Sequence, residues 1–146
     1  MTLSSEQCDA IVTEAAPHLD PTTTVASSCR AWRVPRASIT ASIILALGVD
    51  TLDAQVVRYG PGGGYTWHTD GPRRDRAMVV QLSDPDDYLG GELQFWDEGR
   101  LVTASSERGS ITKFPSSTQH QACEVLEGER WALAIWTAPQ SPRRAS

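Results

Sequence analysis

Downstream of Asp53 the sequence is interrupted every few residues by turn chemistry, and this constrains the fold more than any other feature. Gly60-Pro61-Gly62-Gly63-Gly64, Asp84-Pro85-Asp86-Asp87, Gly90-Gly91, Glu98-Gly99 and Glu127-Gly128-Glu129 leave no room for a long helix. The segments between them are short and suited to strands: residues 54–59, 65–70, 77–83, 92–96, 101–103, 110–114, 119–126 and 130–137. The first 50 residues read differently. Ser4 and Ser5 ahead of Glu6-Gln7-Cys8-Asp9-Ala10-Ile11-Val12 predict an N-cap and a helix that ends before Pro17. Residues 20–28, rich in Thr, Ser and Pro, read as a loop. Residues 38–47 are apolar at helical spacing and predict a second helix, although Ile39, Ile43 and Ile44 suit a strand as well.

Short strands after a helical start predict a mainly β protein with flanking N-terminal helices. The expected architecture is a double-sheet jelly roll with the helices buttressing one face. One domain is expected over residues 1–139, with a helical buttress at about 1–50, a jelly-roll core at about 53–137 and a frayed tail at 140–146. Gly60 to Gly64 reads as a hairpin turn; it lacks the Gly-Lys-Ser/Thr ending of a phosphate loop.

Composition narrows the partners. A formal net charge of -5 argues against nucleic acid as the main partner. The longest purely apolar candidate, Ile43 to Leu47, is far too short to span a bilayer, so no membrane partner is expected. The three cysteines, Cys8, Cys29 and Cys123, are widely spaced with no C-x-x-C, which fits reduced thiols and a cytoplasmic location. The N-terminus lacks the basic-then-apolar pattern of a signal peptide. Oligomeric state is not legible.

The chemistry-bearing residues are His68, Asp70, His120 and Arg130. Residues i and i+2 of a strand share a face, so His68 and Asp70 project together while Trp67 and Thr69 point away. Alone, a His-x-Asp is equally a surface histidine beside a turn-forming aspartate. A further histidine one strand pair downstream, His120, changes the weighing, because two histidines and one carboxylate can hold adjacent corners of a non-haem iron octahedron. The remaining histidine, His18, reads as solvated. Arg130 opens the last strand, with Ala132, Ala134 and Trp136 on its face and Trp131, Leu133 and Ile135 on the other. Two alanines beside an arginine leave space for a ligand whose carboxylate the guanidinium can clamp. A surface ion pair on an edge strand is the plainer alternative. Tyr59, ending the strand before the glycine turn, can donate to the same carboxylate or simply be core.

Arg73, Arg74 and Arg76 follow the His-x-Asp segment directly and suit an anionic substrate or, equally, a solvated loop. Trp32, Trp67 and Trp96 suit a pocket lining or a core. Cys123, three residues after His120, reads as an inert buried thiol rather than a ligand.

Taken together, Arg58-Tyr59-Gly60, Trp67-His68-Thr69-Asp70, the run from Leu82 to Leu93, Phe114-Pro115-Ser116-Ser117-Thr118-Gln119-His120 and Gly128-Glu129-Arg130-Trp131 resemble the prolyl 4-hydroxylase-type 2-oxoglutarate/Fe(II) oxygenases, nearest to the bacterial PKHD-type hydroxylase branch. The resemblance spans Asp53 to Thr137 and departs after His120, where Gln121-Ala122-Cys123-Glu124-Val125 lacks a proline before the valine. It implies a distorted double-stranded β-helix, and a 2-oxoglutarate-dependent dioxygenase that hydroxylates a prolyl or other amino-acid side chain, free or in a peptide. It implies Fe(II) on His68, Asp70 and His120, and 2-oxoglutarate with its distal carboxylate on Arg130 and Tyr59. It also implies O2 as the oxidant and a place for ascorbate (vitamin C) as reductant. Trp136 falls on the substrate side. The retained carboxylate of Asp70 favours hydroxylation, since a halide can bind iron where it is missing. Two alternatives stand beside this reading: the same chemistry on a non-amino-acid small molecule, and a cupin-like module that holds metal without turnover.

Overall fold

The computed structural model describes residues 2–24, 27–49 and 52–138. Helix α1 (Ser5–Ala15) starts in a capping box: Ser4 Oγ accepts from the Gln7 amide at 3.1 Å and the Ser4 amide donates back to Gln7 Oε1 at 2.9 Å. A 3-10 turn through Pro17 follows it. Helix α2 (Ile39–Ala46) is capped by Ser38, which resolves the helix-or-strand ambiguity of that segment. Glu14 ties the two helices together. Its carboxylate accepts from the Ile39 and Thr40 amides, both at 2.9 Å, and from Thr40 Oγ1 at 2.7 Å. An anion at the orphan amides of a helix start is the stabilising arrangement.

The strands are β1 (Asp20–Thr23), β2 (Ser27–Arg33), β3 (Asp53–Tyr59), β4 (Gly64–His68), β5 (Arg76–Gln81), β6 (Tyr88–Gly90), β7 (Leu93–Asp97), β8 (Arg100–Thr103), β9 (Ile111–Pro115), β10 (His120–Ala122), β11 (Val125–Gly128) and β12 (Arg130–Thr137). They pair antiparallel in the order β8-β7-β10-β4-β2-β3-β12-β5-β9, with β1 on β2 and a separate β6–β11 pair. Side chains from β4, β7 and β10 and side chains from β3, β5 and β12 line one cavity, so the sheet curls until its two halves face each other. This is the expected jelly roll. Its other face carries the core: Ala54, Val56, Val80, Leu133 and Ile135 pack against Cys8, Ile11, Ala15 and Ile44 of the helices.

Strand β12 shows why the sequence folds this way. Leu133 and Ile135 are fully buried under the helices, while Ala132, Ala134 and Trp136 face the cavity. Leu133→Ala therefore removes packing from the layer that supports the site and is expected to lower unfolding free energy by about 2–5 kcal/mol. Urea denaturation checks this.

Several expectations are corrected. The loop expected over residues 20–28 is strand at 20–23 and from 27 onward: β1 and the start of β2 pair there, and β2 bridges β3 and β4. Polar Thr- and Ser-rich strands carry no apolar alternation, so only their partners make them strands. Gly60 to Gly64 is not a hairpin turn, because β3 and β4 are separated by β2. The segment is drawn against the rest of the barrel: the Gly62 amide donates to Val125 O at 2.8 Å and the Val125 amide to Gly63 O at 2.9 Å. A Cβ on Gly63 would lie 2.9 Å from the carbonyl oxygens of both Gly60 and Ser28, which explains the glycine. The single strand expected over 119–126 is split into β10 and β11. The tail at 140–146 lies outside the described residues.

Of the tryptophans weighed for the pocket, none of Trp32, Trp67 and Trp96 lines the cavity. Trp32 packs on the helical core and against His18, and Trp67 and Trp96 stack on each other at the surface. Among the described residues no helix is long and apolar enough to cross a membrane.

Candidate metal centre and cavity

His68 is the last residue of β4 and His120 the first of β10, and the two are register partners. Asp70 lies two residues beyond His68, where its amide donates to Ser116 O at 3.0 Å. Antiparallel pairing thus brings together side chains 52 positions apart in sequence. Asp70 Oδ1 stands 3.7 Å from His68 Nε2 and 3.4 Å from His120 Nε2. One donor atom from each of the three residues lies within 4.8 Å of the others.

The imidazoles are oriented for this. His68 Nδ1 contacts Thr66 O at 2.6 Å and His120 Nδ1 contacts Thr118 O at 2.9 Å. A ring nitrogen against a carbonyl carries the proton, so Nε2 is the atom of each ring turned toward the other two groups. Tyr65 stacks on His68 and Phe114 tilts against His120, which holds the rings. Burial pushes the His68 imidazole below its ordinary value, which favours its neutral form. Burial pushes the Asp70 carboxyl up, but the hydrogen bond and charge of His120, the Trp136 N–H and the charge of His68 outweigh it and leave Asp70 below its ordinary value. Two imidazole nitrogens and one carboxylate oxygen on one side of a cavity are the donor set of non-haem Fe(II). The residues present fit that ion.

Arg130 stands opposite Tyr59 across β12 and β3, with its guanidinium carbon 5.6 Å from the phenol ring. Only 3% exposed, it donates from Nε to Gln81 Oε1 at 3.0 Å. Gln81 is in turn fixed by donating to Ser83 O at 3.1 Å and Tyr88 Oη at 2.8 Å. No carboxylate of the described residues pairs with Arg130 in an ion pair, an unusual state for a buried guanidinium and one suited to an incoming anion. Burial drives the Tyr59 phenol up, so it stays a hydrogen-bond donor. Arg130, Tyr59, Trp136 and the His68–Asp70–His120 group share one cavity of about 250 Å³.

Trp136 and Arg74 also line this cavity, whereas Arg73 is exposed on the loop outside it. Cys123 is half-buried against Gln94 and takes no part in the His-Asp-His group. Two contributors are absent from the sequence reading. Gln81 looks like any polar residue at a strand end, although its register position beside Ala132 marks the cavity face. The indole N–H of Trp136 donates to Asp70 Oδ2 at 2.9 Å, a contact between residues 66 positions apart.

The sequence model of the 2OG-Fe(II) oxygenase superfamily matches residues 54–138, more than half of the chain. The chain is similar to a PKHD-type hydroxylase of Shewanella baltica, 34% identical over 88 residues that cover 54% of this chain and 39% of that protein. It is also similar to a PKHD-type hydroxylase of Synechococcus elongatus, 39% identical over 88 residues that cover 54% of this chain and 40% of that protein. The match thus spans about two fifths of the relatives' length. A Pseudomonas putida prolyl-4-hydroxylase shares the fold with a TM-score of 0.79 at 19% identity, covering 96% of this chain and 90% of that one. The viral collagen prolyl hydroxylase of Paramecium Bursaria Chlorella virus-1 does so with a TM-score of 0.72 at 22% identity, covering 92% and 90%.

Proposed function

Since the chain belongs to the 2OG-Fe(II) oxygenase superfamily, we propose that it is a 2-oxoglutarate- and Fe(II)-dependent dioxygenase that hydroxylates a C–H bond of a prolyl or other amino-acid side chain, free or in a peptide. The observation that carries this is the convergence of His68 Nε2, Asp70 Oδ1 and His120 Nε2 beside a buried arginine with no carboxylate of its own among the described residues. The iron, when bound, would supply the oxidising chemistry in which O2 and 2-oxoglutarate give succinate, CO2 and the conversion of the substrate C–H to C–OH, a balance complete without another reductant; ascorbate would serve only to return adventitiously oxidised iron to the ferrous state.

The protein's part is binding and orientation. His68, Asp70 and His120 would hold the metal through Nε2, Oδ1 and Nε2, the atoms they turn toward one another. Arg130 takes the distal carboxylate of 2-oxoglutarate, and Tyr59 donates to the same group. Ala132 and Ala134 leave room for the chain of the diacid between them. Phe114 and the Tyr65 ring shield the imidazoles from water. Trp136 and Arg74 stand on the substrate side, with Arg73 on the adjoining loop. A metal-holding module without turnover has no use for the buried Arg130–Tyr59 pair, which favours the enzyme.

Gln81→Leu leaves Arg130 Nε without its acceptor and frees the guanidinium to swing. Leaving a buried donor unsatisfied costs about 1–3 kcal/mol. A rise of about tenfold in the KM for 2-oxoglutarate is therefore expected, with kcat little changed. Steady-state succinate assays check this.

The test of the function is anaerobic absorption. Fe(II) and 2-oxoglutarate added together are expected to give a metal-to-ligand charge-transfer band that neither gives alone. No band at saturating concentrations of both would overturn the reading. A screen of proline-containing peptides and free amino acids for a gain of one oxygen mass then identifies the substrate class. Turnover only on a small molecule that is not an amino acid would replace it.

A further inference from the structure

A chain of side-chain contacts begins at Asp53, outside the metal centre, and ends on Asp70. Asp53 and Trp136 are register partners across β3 and β12. Arg74, from the loop after β4, bridges them. Its Nε and Nη2 donate to Asp53 Oδ2 and Oδ1 at 2.9 and 3.2 Å, and its guanidinium carbon lies 3.7 Å from the centroid of the Trp136 ring. Trp136 Nε1 then donates to Asp70 Oδ2 at 2.9 Å. Asp53 is itself braced from the far side by Arg33 Nη1 at 3.0 Å.

The consequence for Asp70 is a division of labour between its two oxygens. Oδ1 faces the two imidazoles, and Oδ2 is occupied by the indole. An indole has a single N–H whose direction is set by the ring plane. The ring plane is held by the stacked guanidinium. The planar guanidinium fork is held by two parallel hydrogen bonds to one carboxylate. Each link therefore fixes an orientation as well as a distance.

We propose that Asp53 is a positioning residue of the metal centre, which acts through Arg74 and Trp136 to fix the rotation of the Asp70 carboxylate so that Oδ1 alone is offered to the metal. This rests on the metal-centre reading given above. Presentation of a single oxygen keeps the neighbouring coordination position open for another ligand. Arg74 on this view is held for the metal centre, its charge already shared with Asp53.

The experiment is a titration of the metal-free protein with Mn(II) alone, followed by electron paramagnetic resonance, so that no turnover is needed. Binding by the wild type that is lost in His120→Ala establishes the centre. No binding by the wild type, or binding unaltered in His120→Ala, overturns the metal-centre reading itself. With the centre established, Trp136→Phe is expected to weaken Mn(II) binding by about 10- to 100-fold, the usual effect of losing an outer partner of a metal ligand. Asp53→Asn is expected to weaken it by ~3-fold or more. The double variant Asp53→Asn/Trp136→Phe is expected to be no weaker than Trp136→Phe alone, because residues acting through one chain are not additive. If Trp136→Phe does not fold, Asp53→Asn and Arg74→Gln, both at partly exposed positions, form the same cycle. Unchanged affinity in Asp53→Asn, or additive losses in the double variant, would overturn the positioning role and leave the triad standing. So would a loss of affinity matched by an equal loss of stability of the metal-free protein in urea.

Discussion

His120→Ala is expected to bind no metal and to form no succinate at any 2-oxoglutarate concentration. His120 is the most buried of the three candidate ligands, and its Nε2 is the nearer of the two imidazole nitrogens to Asp70 Oδ1, at 3.4 Å. Removing it takes away one donor outright and disturbs another. The hydrogen bond and charge of His120 are the largest influences that hold the Asp70 carboxyl down against burial. The loss should exceed the ~100-fold that an outer-shell partner is worth. The truncated side chain faces a cavity and not the helical core, so the metal-free variant should melt close to the wild type. Metal analysis, succinate assay and thermal denaturation of one preparation check all three statements. Retained turnover would remove His120 from the centre.

Arg130→Ala has the second largest expected effect, and of a different kind. The guanidinium is nearly inaccessible to bulk water, and the distal carboxylate of 2-oxoglutarate would be equally so. Truncating one member of a buried charged pair costs about 2–5 kcal/mol, because the other charge is left unpaired. That corresponds to a rise of ~30-fold to several-thousand-fold in the 2-oxoglutarate concentration needed. Metal binding should persist, since Arg130 makes no contact with His68, Asp70 or His120 through the hydrogen bonds and ion pairs described. Arg130→Lys should recover little, for an ammonium cannot both meet Gln81 and present a planar fork to the diacid. Full titration curves in 2-oxoglutarate separate this from a loss of kcat. An unchanged requirement for 2-oxoglutarate in Arg130→Ala would end the clamp assignment.

The parts of the site that were legible in the sequence are those governed by strand periodicity. Arg130, Ala132, Ala134 and Trp136 share a face because alternate residues of one strand do. His68 and Asp70 converge as expected, although β4 ends at His68, short of the strand expected through residue 70, and Asp70 is placed by its amide bond to Ser116 O. The bulky alternates Leu133 and Ile135 had to find a second apolar layer, and the helices supply it. What was not legible depends on partners. Strands β1 and β2 are too polar to announce themselves, and they are strands because they pair with each other and because β2 also pairs with β3 and β4. Tyr88–Gly90 became β6 only by pairing with β11, the half of the 119–126 segment that leaves the main sheet. Gly60 to Gly64 has the composition of a hairpin turn, and only the insertion of β2 between β3 and β4 makes it a crossing connection. Gln81, Asp53 and the indole of Trp136 act through side-chain hydrogen bonds between residues 21 to 66 positions apart, which no local pattern encodes.

The most direct measurement is an anaerobic crystal structure of the protein grown with Fe(II) and 2-oxoglutarate. The expected density shows the metal bonded to His68 Nε2, Asp70 Oδ1 and His120 Nε2, and the distal carboxylate of the diacid against Arg130 and Tyr59. A metal bound elsewhere, or a diacid whose distal carboxylate lies away from Arg130, would contradict the assignment.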